Sequence, residues 1–170
     1  KAANDAGLNN VNFYTYYGSV SGSPTAMGAA AAGRVYMVAY AHMNLPGPLN
    51  QIVVDYKKKF NDDMYTDAIY NGFAMLSDAF VKAKSTDPVK VAKVMEGMKF
   101  KGFNGEVEMR KTDHQLQQGL FITKWEKAGG KYPIDAENTG YTFVPVKYYE
   151  PYVASTPTSS SSPMPISASA

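Results

Sequence analysis

Cysteine is absent from the 170 residues, which excludes a disulfide scaffold and every thiolate metal or redox site. The two histidines, His42 and His114, stand far apart, so a histidine-rich metal centre is not expected. Net charge is close to balance at +2, whereas nucleic-acid surfaces carry a stronger and clustered basic excess. The longest basic run, Lys57-Lys58-Lys59, reads as the wet face of a helix. No window approaches the roughly 18 apolar residues of a membrane span, and no apolar leader follows Lys1. What is present, 45% apolar and 19% charged residues, is enough to build an ordinary folded core.

The chain opens on what reads as the end of a helix, closed by Gly7 at C′ with Leu8 beyond it. A domain that starts by ending a helix is expected to have lost what came before. Val11 to Tyr17, with its β-branched and aromatic residues, predicts a strand, and Gly18 to Pro24 a loop. Thr25 to Ala32 is a short helix candidate ended by Gly33. Val35 to Ala41 is nearly continuous in apolar character, as expected of a strand covered on both faces in a parallel sheet. Prolines 46 and 48 make its continuation improbable.

Three helices follow in the pattern. The first carries Leu49, Ile52, Val53, Tyr56 and Phe60 on one stripe, the second Ile69, Phe73, Leu76, Phe80 and Ala83, with Thr66 or Asp67 as cap. Asp87-Pro88 opens the third, whose buried side is expected to be Val91, Val94, Met95 and Met98. Lys101 to Gly105 is a turn; Gly105 to Met109 and Leu120 to Trp125 are strand candidates, and Tyr141 to Val146 a final edge segment. From Ser155 the composition predicts a loose tail. The order of elements indicates an α/β layered architecture, with a thin sheet for so many helices.

Covalent chemistry finds little support. Gly18 to Ser23 follows a strand but matches neither G-x-G-x-x-G nor a P-loop; it is either a connector or a loop offering donors to a solute. No G-x-S-x-G elbow occurs. Asp62, Asp63 and Asp67 border a helix start, where negative charge stabilises the terminus. Asp113 and His114 fall in a polar, exposed turn. His42 directly follows a buried-looking strand, and both a hinge role and a ligand contact stay open. In the segment FYTYYG, Phe13 is expected in the core. Tyr16 and Tyr17 reach the carboxyl end of the strand, where open α/β sheets bind ligands.

The segments GLNNVNFYTYYG, PTAMG and AGRVYMVAYAHMN, then AIYNGFAMLSDAFVKAKSTDPVKVAKVMEGMKFKGFNGEVEMRKTDHQLQQGLFITKW, carry a resemblance. Over roughly residues 1 to 150 the chain resembles the C-terminal half of the type I solute-binding proteins of ABC transporters, typified by the leucine/isoleucine/valine-binding proteins. The resemblance implies a two-lobed α/β fold, incomplete here, with solute trapped between lobes. Residues 1–41 would end the second lobe, 42–100 return through a hinge to the first, and 101–154 cross back, with 155–170 as the tail.

It further implies an extracytoplasmic, non-enzymatic protein made with a signal peptide. Its partners would be a small-molecule solute, an ABC permease and the missing N-terminal half; no nucleic acid and no cofactor is implied. Ligand contacts are expected from Tyr16, Tyr17, His42, Asn44 and Tyr70. Tyr17 appears where the branched-chain amino-acid binders place an acidic residue against the ligand ammonium. The resemblance therefore points to an organic, and in particular aromatic, acid. A ligand-sensing module of the same fold and an α/β enzyme are the alternatives.

Overall fold

A computed structural model describes residues 2–39, 43–44, 49–65, 67–103, 105–153 and 155. The expectations for His42, for Thr66 as a cap, for the prolines at 46 and 48 and for the tail beyond 155 lie outside these residues.

Local signals set most element ends. Helix α1 (Ala2–Asp5) closes on Gly7 in a left-handed conformation, with Leu8 N–H bonded to Ala3 O and Gly7 N–H to Asn4 O. Those two bonds are the Schellman pattern expected from Gly7. Helices α3 (Asn50–Phe60) and α4 (Asp67–Ala83) follow the apolar spacing. Helix α5 (Pro88–Met95) starts where Asp87 accepts from the Val89 and Lys90 amides at 2.9 and 3.0 Å.

Two sheets organise the rest. The larger has strand order β1-β2-β6-β7, from β1 (Phe13–Thr15), β2 (Val35–Ala39), β6 (Leu120–Lys127) and β7 (Tyr141–Tyr149). Strand β1 runs parallel to β2; β6 and β7 are antiparallel to their neighbours. One face collects Met37, Ala39, Trp125 and Phe143 under the short helix α2 (Ser23–Met27) and the 3-10 turn Ala29–Ala31. The Trp125 ring is fully buried and donates its N–H to Gly28 O at 2.7 Å. Pro145 sits in edge strand β7 beside a bulge at Ile122/Thr123, where a missing amide does least harm.

The smaller sheet, β3-β4-β5 (Lys99–Gly102, Gly105–Met109, Leu116–Gln117), is antiparallel and packs on α4 and α5. Its alternation is legible in the register. Phe100 pairs with Val107 on the core side, while Lys99–Glu108 and Lys101–Glu106 pair opposite charges outside. Helix α4 pins its first turn: buried Asn71 accepts from Phe103 N–H at 2.6 Å.

Several expectations are corrected. Strand β3 occupies residues assigned in part to a turn, and the strand around Phe13 has three residues rather than seven. Strand β2 lies in a mixed sheet with one face covered: Val38 and Tyr14 on the other face are exposed, Tyr14 by 76%. Phe13 is 40% exposed, because β1 is a short edge strand with little packed over it among the described residues. On α3 only Val53 is buried. Helix α4 buries Asn71, Met75 and Ala79 instead of the Ile69, Phe73, Leu76 and Phe80 stripe, and Phe73 is 71% exposed. Apolar residues on two faces suit a helix between two layers, and the described residues supply one of them.

Gly102 lies where β3 meets α4. A Cβ there would come within 2.1 Å of Val107 Cγ2 and 3.0 Å of Asn71 Oδ1. Gly102→Ala is therefore expected to destabilise the protein by about 1–3 kcal/mol through overpacking, read as a lowered denaturant midpoint. An unchanged midpoint would show that the turn relaxes freely.

Candidate functional site

The carboxyl ends of β1 and β2 face the segment between α3 and α4, and a cavity of about 300 Å³ opens between them. Sheet-side walls come from Tyr16, Tyr17, Ser19 and Ser21 after β1, from Met37 to Ala39 of β2, and from Thr142 and Phe143 of β7. Opposite stand Val53 of α3, Met64, Tyr65 and Phe103, with Met43 at the crossing. The volume falls at the lower end of small-molecule sites. No lysine or arginine lines it among the described residues.

The loop bearing the tyrosines turns away from the strand at Gly18 because nothing larger fits. A Cβ at Gly18 would lie 2.6 Å from Phe143 Cζ. Tyr16 and Tyr17 meet edge to face at 5.2 Å, and both stay largely exposed at the cavity mouth. Their hydroxyls and rings are thus offered rather than used in packing.

The other expected residues are placed differently. Asn44 is buried and outside the lining; its amide donates to Ile134 O and accepts from Ile134 N–H, both at 2.8 Å, and reaches Thr142 Oγ1 at 3.2 Å. It joins the crossing to the loop before β7. Tyr70 stands behind the wall, edge to face with the lining residue Phe103 at 5.9 Å.

The carboxylate at the site is Asp63, whose side chain is 2% exposed. Its oxygens accept from Lys57 Nζ and from Glu137 N–H, each at 2.7 Å. Lys57 also donates to Asp135 O at 2.5 Å. Asp63 was expected to serve a helix terminus and Lys57 a wet face; the two instead pair with each other, Asp63 buried and Lys57 half-buried, and of the three lysines Lys58 and Lys59 are exposed. The sequence signal was the six-residue separation across the end of α3, which turns a helical lysine back toward the following acid.

Glu137 extends this network. Oε1 accepts from Gly22 N–H at 2.5 Å and from the Tyr65 hydroxyl at 2.6 Å; Oε2 accepts from Thr25 N–H at 2.8 Å and Thr25 Oγ1 at 2.5 Å. Burial pushes its pKa upward, but the hydrogen bonds from Thr25, Tyr65 and Gly22 outweigh burial and hold it at about 2. Burial, the Glu137 hydrogen bond and the neighbouring carboxylates raise that of Tyr65. Neither Glu137 nor Tyr65 stands out by composition, since the contacts that define them span 72 and more residues.

The described residues contain no cluster of metal-ligating side chains, and no described helix is long and apolar enough to cross a membrane. Residues 1–131 match the family model described as periplasmic binding protein. The chain belongs to that family. That family is non-catalytic and extracytoplasmic, and the chain is placed outside the cytoplasm with it.

Among solved structures it is similar to the closed form of a leucine-, isoleucine-, valine-, threonine- and alanine-binding protein from Brucella ovis, at 24% identity and TM-score 0.78. That match covers 92% of this chain and 41% of the other. A solute-binding protein of an ABC transporter from Rhodopseudomonas palustris BisB5, in complex with 3,4-dihydroxybenzoic acid, matches at 20% identity and TM-score 0.67 over 88% and 40%. One from strain HaA2, in complex with p-hydroxybenzoic acid, matches at 19% and 0.67, again over 88% and 40%. The chain thus spans about two fifths of these relatives' length. No curated protein matches it.

Lys57→Met would leave Asp63 buried without its cation and is expected to cost about 3 kcal/mol in denaturant unfolding. A loss below about 1 kcal/mol would mean that Asp63 is hydrated. Glu137, with its pKa depressed from 4.5 to about 2, contributes stability that is present above about pH 4.5 and lost as pH falls toward 2. Glu137→Gln should flatten that part of the pH–stability curve; an identical acid limb in the variant would contradict the assignment.

Proposed function

We propose that this chain is part of a two-lobed extracytoplasmic receptor that captures a small organic acid with an aromatic body and presents it to an ABC permease. In this reading β1, β2, β6 and β7 belong to one lobe. Helices α4 and α5 with β3–β5 belong to the other, so the crossing back falls between β5 and β6. The remaining portion of each lobe comes from a further part of the same protein. Support for this comes from the coverage of the relatives and from the two bare apolar faces, Phe73 with its stripe on α4 and Tyr14 with Val38 on the larger sheet.

The observation that carries the solute class is the lining itself. Rings and methionine side chains make the walls, and the Asp63 carboxylate is already neutralised by Lys57. An amino-acid ammonium entering here would meet no free carboxylate among the described lining residues, and leaving that charge unpaired is costly. An aromatic ring would instead pack between Tyr16, Tyr17, Phe103 and Phe143, with methionine sulfur at its edge. Ser19, Ser21 and the tyrosine hydroxyls supply hydrogen bonds to its polar ends. Asn44 and Tyr70 serve indirectly, the first by fixing the crossing and the second by backing Phe103. The hydroxybenzoates held by two of the structural relatives are of this chemical kind, whereas the Brucella relative is named for aliphatic amino acids.

Thermal shift and calorimetry on the full-length protein with 4-hydroxybenzoate, 3,4-dihydroxybenzoate and leucine test the reading. A hydroxybenzoate at about 100 times its Kd should stabilise the protein by about 2.7 kcal/mol, and Tyr17→Ala should weaken its binding about fivefold. Tight leucine binding with no response to either hydroxybenzoate would overturn the solute class.

A further inference from the structure

Glu137 has a structural position that solute binding alone does not explain. Its two oxygens receive four donors from two segments that form opposite rims of the cavity. Gly22 and Thr25 belong to the loop and first turn that follow Tyr17, Ser19 and Ser21; Tyr65 belongs to the rim bearing Met64. Helix α2 has no side-chain cap of its own at Gly22, and the carboxylate of Glu137 takes the Thr25 amide in its place.

The backbone of Glu137 is itself held in an uncommon state. Its φ is +50° and that of Asn138 is +56°, left-handed values that cost a residue with a Cβ roughly 1 kcal/mol or more. Four contacts fix this turn: Glu137 N–H to Asp63 Oδ2, Gly140 N–H to Asp135 Oδ2, and Lys57 to both Asp63 and Asp135. Such over-determined strain is expected where a side chain must be aimed. Every link in the chain Lys57, Asp63, Glu137 backbone, Glu137 carboxylate ends on one rim or the other.

We infer that Glu137 is a positioning residue for the solute site, a tie that fixes the tyrosine-bearing rim at residues 16–25 against the Met64–Tyr65 rim. Glu137 does not line the cavity, so its effect on a solute passes through the rims it joins. The two described rims then move as one piece. This rests on the cavity being the solute site.

Two measurements on the full-length protein separate this inference from that reading. Hydrogen exchange without solute compares wild type with Glu137→Gln, which keeps the side-chain length but turns one acceptor into a donor, and with Tyr65→Phe, which frees one rim only. Glu137→Gln should speed exchange of the Gly22 and Thr25 amides about tenfold or more while α4 and α5 amides stay unchanged. Tyr65→Phe should leave the Thr25 amide protected. Calorimetry with 4-hydroxybenzoate should then show affinity falling about tenfold in both variants.

Trp125 fluorescence, which reports the Gly28 end of α2, checks that each variant is folded. Unchanged exchange at Gly22 and Thr25 in Glu137→Gln overturns the tie. Faster exchange with unchanged affinity reduces Glu137 to a purely structural role and also overturns it. If wild type fails to bind 4-hydroxybenzoate, the solute reading fails, and the exchange experiment alone decides whether the two rims are joined.

Discussion

A buried carboxylate must find a cation and hydrogen-bond donors or be expelled, and Asp63 is the group on which this constraint falls. Lys57 meets it from the last turn of α3 and the Glu137 amide meets it from the turn before β7. Meeting those demands ties the last turn of α3 and the segment after it to the turn that carries Glu137. The ion pair need not add net stability to have this effect. Its value lies in holding the distant turn at Glu137 against the end of α3 and the segment that follows it, since separating them leaves a charge unpaired away from water.

The chemistry of the cavity follows from the same arrangement. With its charge neutralised inside the wall, the cavity presents a surface of rings, thioethers and hydroxyls. Such walls discriminate by shape and by polarisable contact, and they penalise a solute cation that brings no partner. Close approach at Gly18 lets Phe143 form the floor directly beneath the tyrosine loop. Tyr16 and Tyr17, both largely exposed, then stand at the mouth of a cavity with an apolar floor.

Helix starts and stops were legible in the sequence wherever one residue decides them, as at Gly7 and Asp87. Tyr16 and Tyr17 were legible as a cavity mouth because strand polarity and the glycine after them locate a strand's carboxyl end. Burial was less so. The stripe Ile69, Phe73, Leu76 and Phe80 has helical spacing, yet spacing cannot say which of two apolar faces has a layer against it. The same holds for Phe13 on its edge strand. Asn44 reads equally well as a ligand contact or a backbone clamp until Ile134, 90 residues away, is brought beside it. Tyr65 and Glu137 were illegible for that reason too: each is defined by partners that only the tertiary fold supplies.

The most direct test is a crystal structure of the full-length protein grown with 4-hydroxybenzoate. The account predicts the ring within about 4.5 Å of Tyr17, Phe103 and Phe143, with the Lys57–Asp63 pair intact and no ammonium-binding carboxylate beside it. A solute seated away from this cavity, or an Asp63 released from Lys57 to grip the ligand, would contradict it.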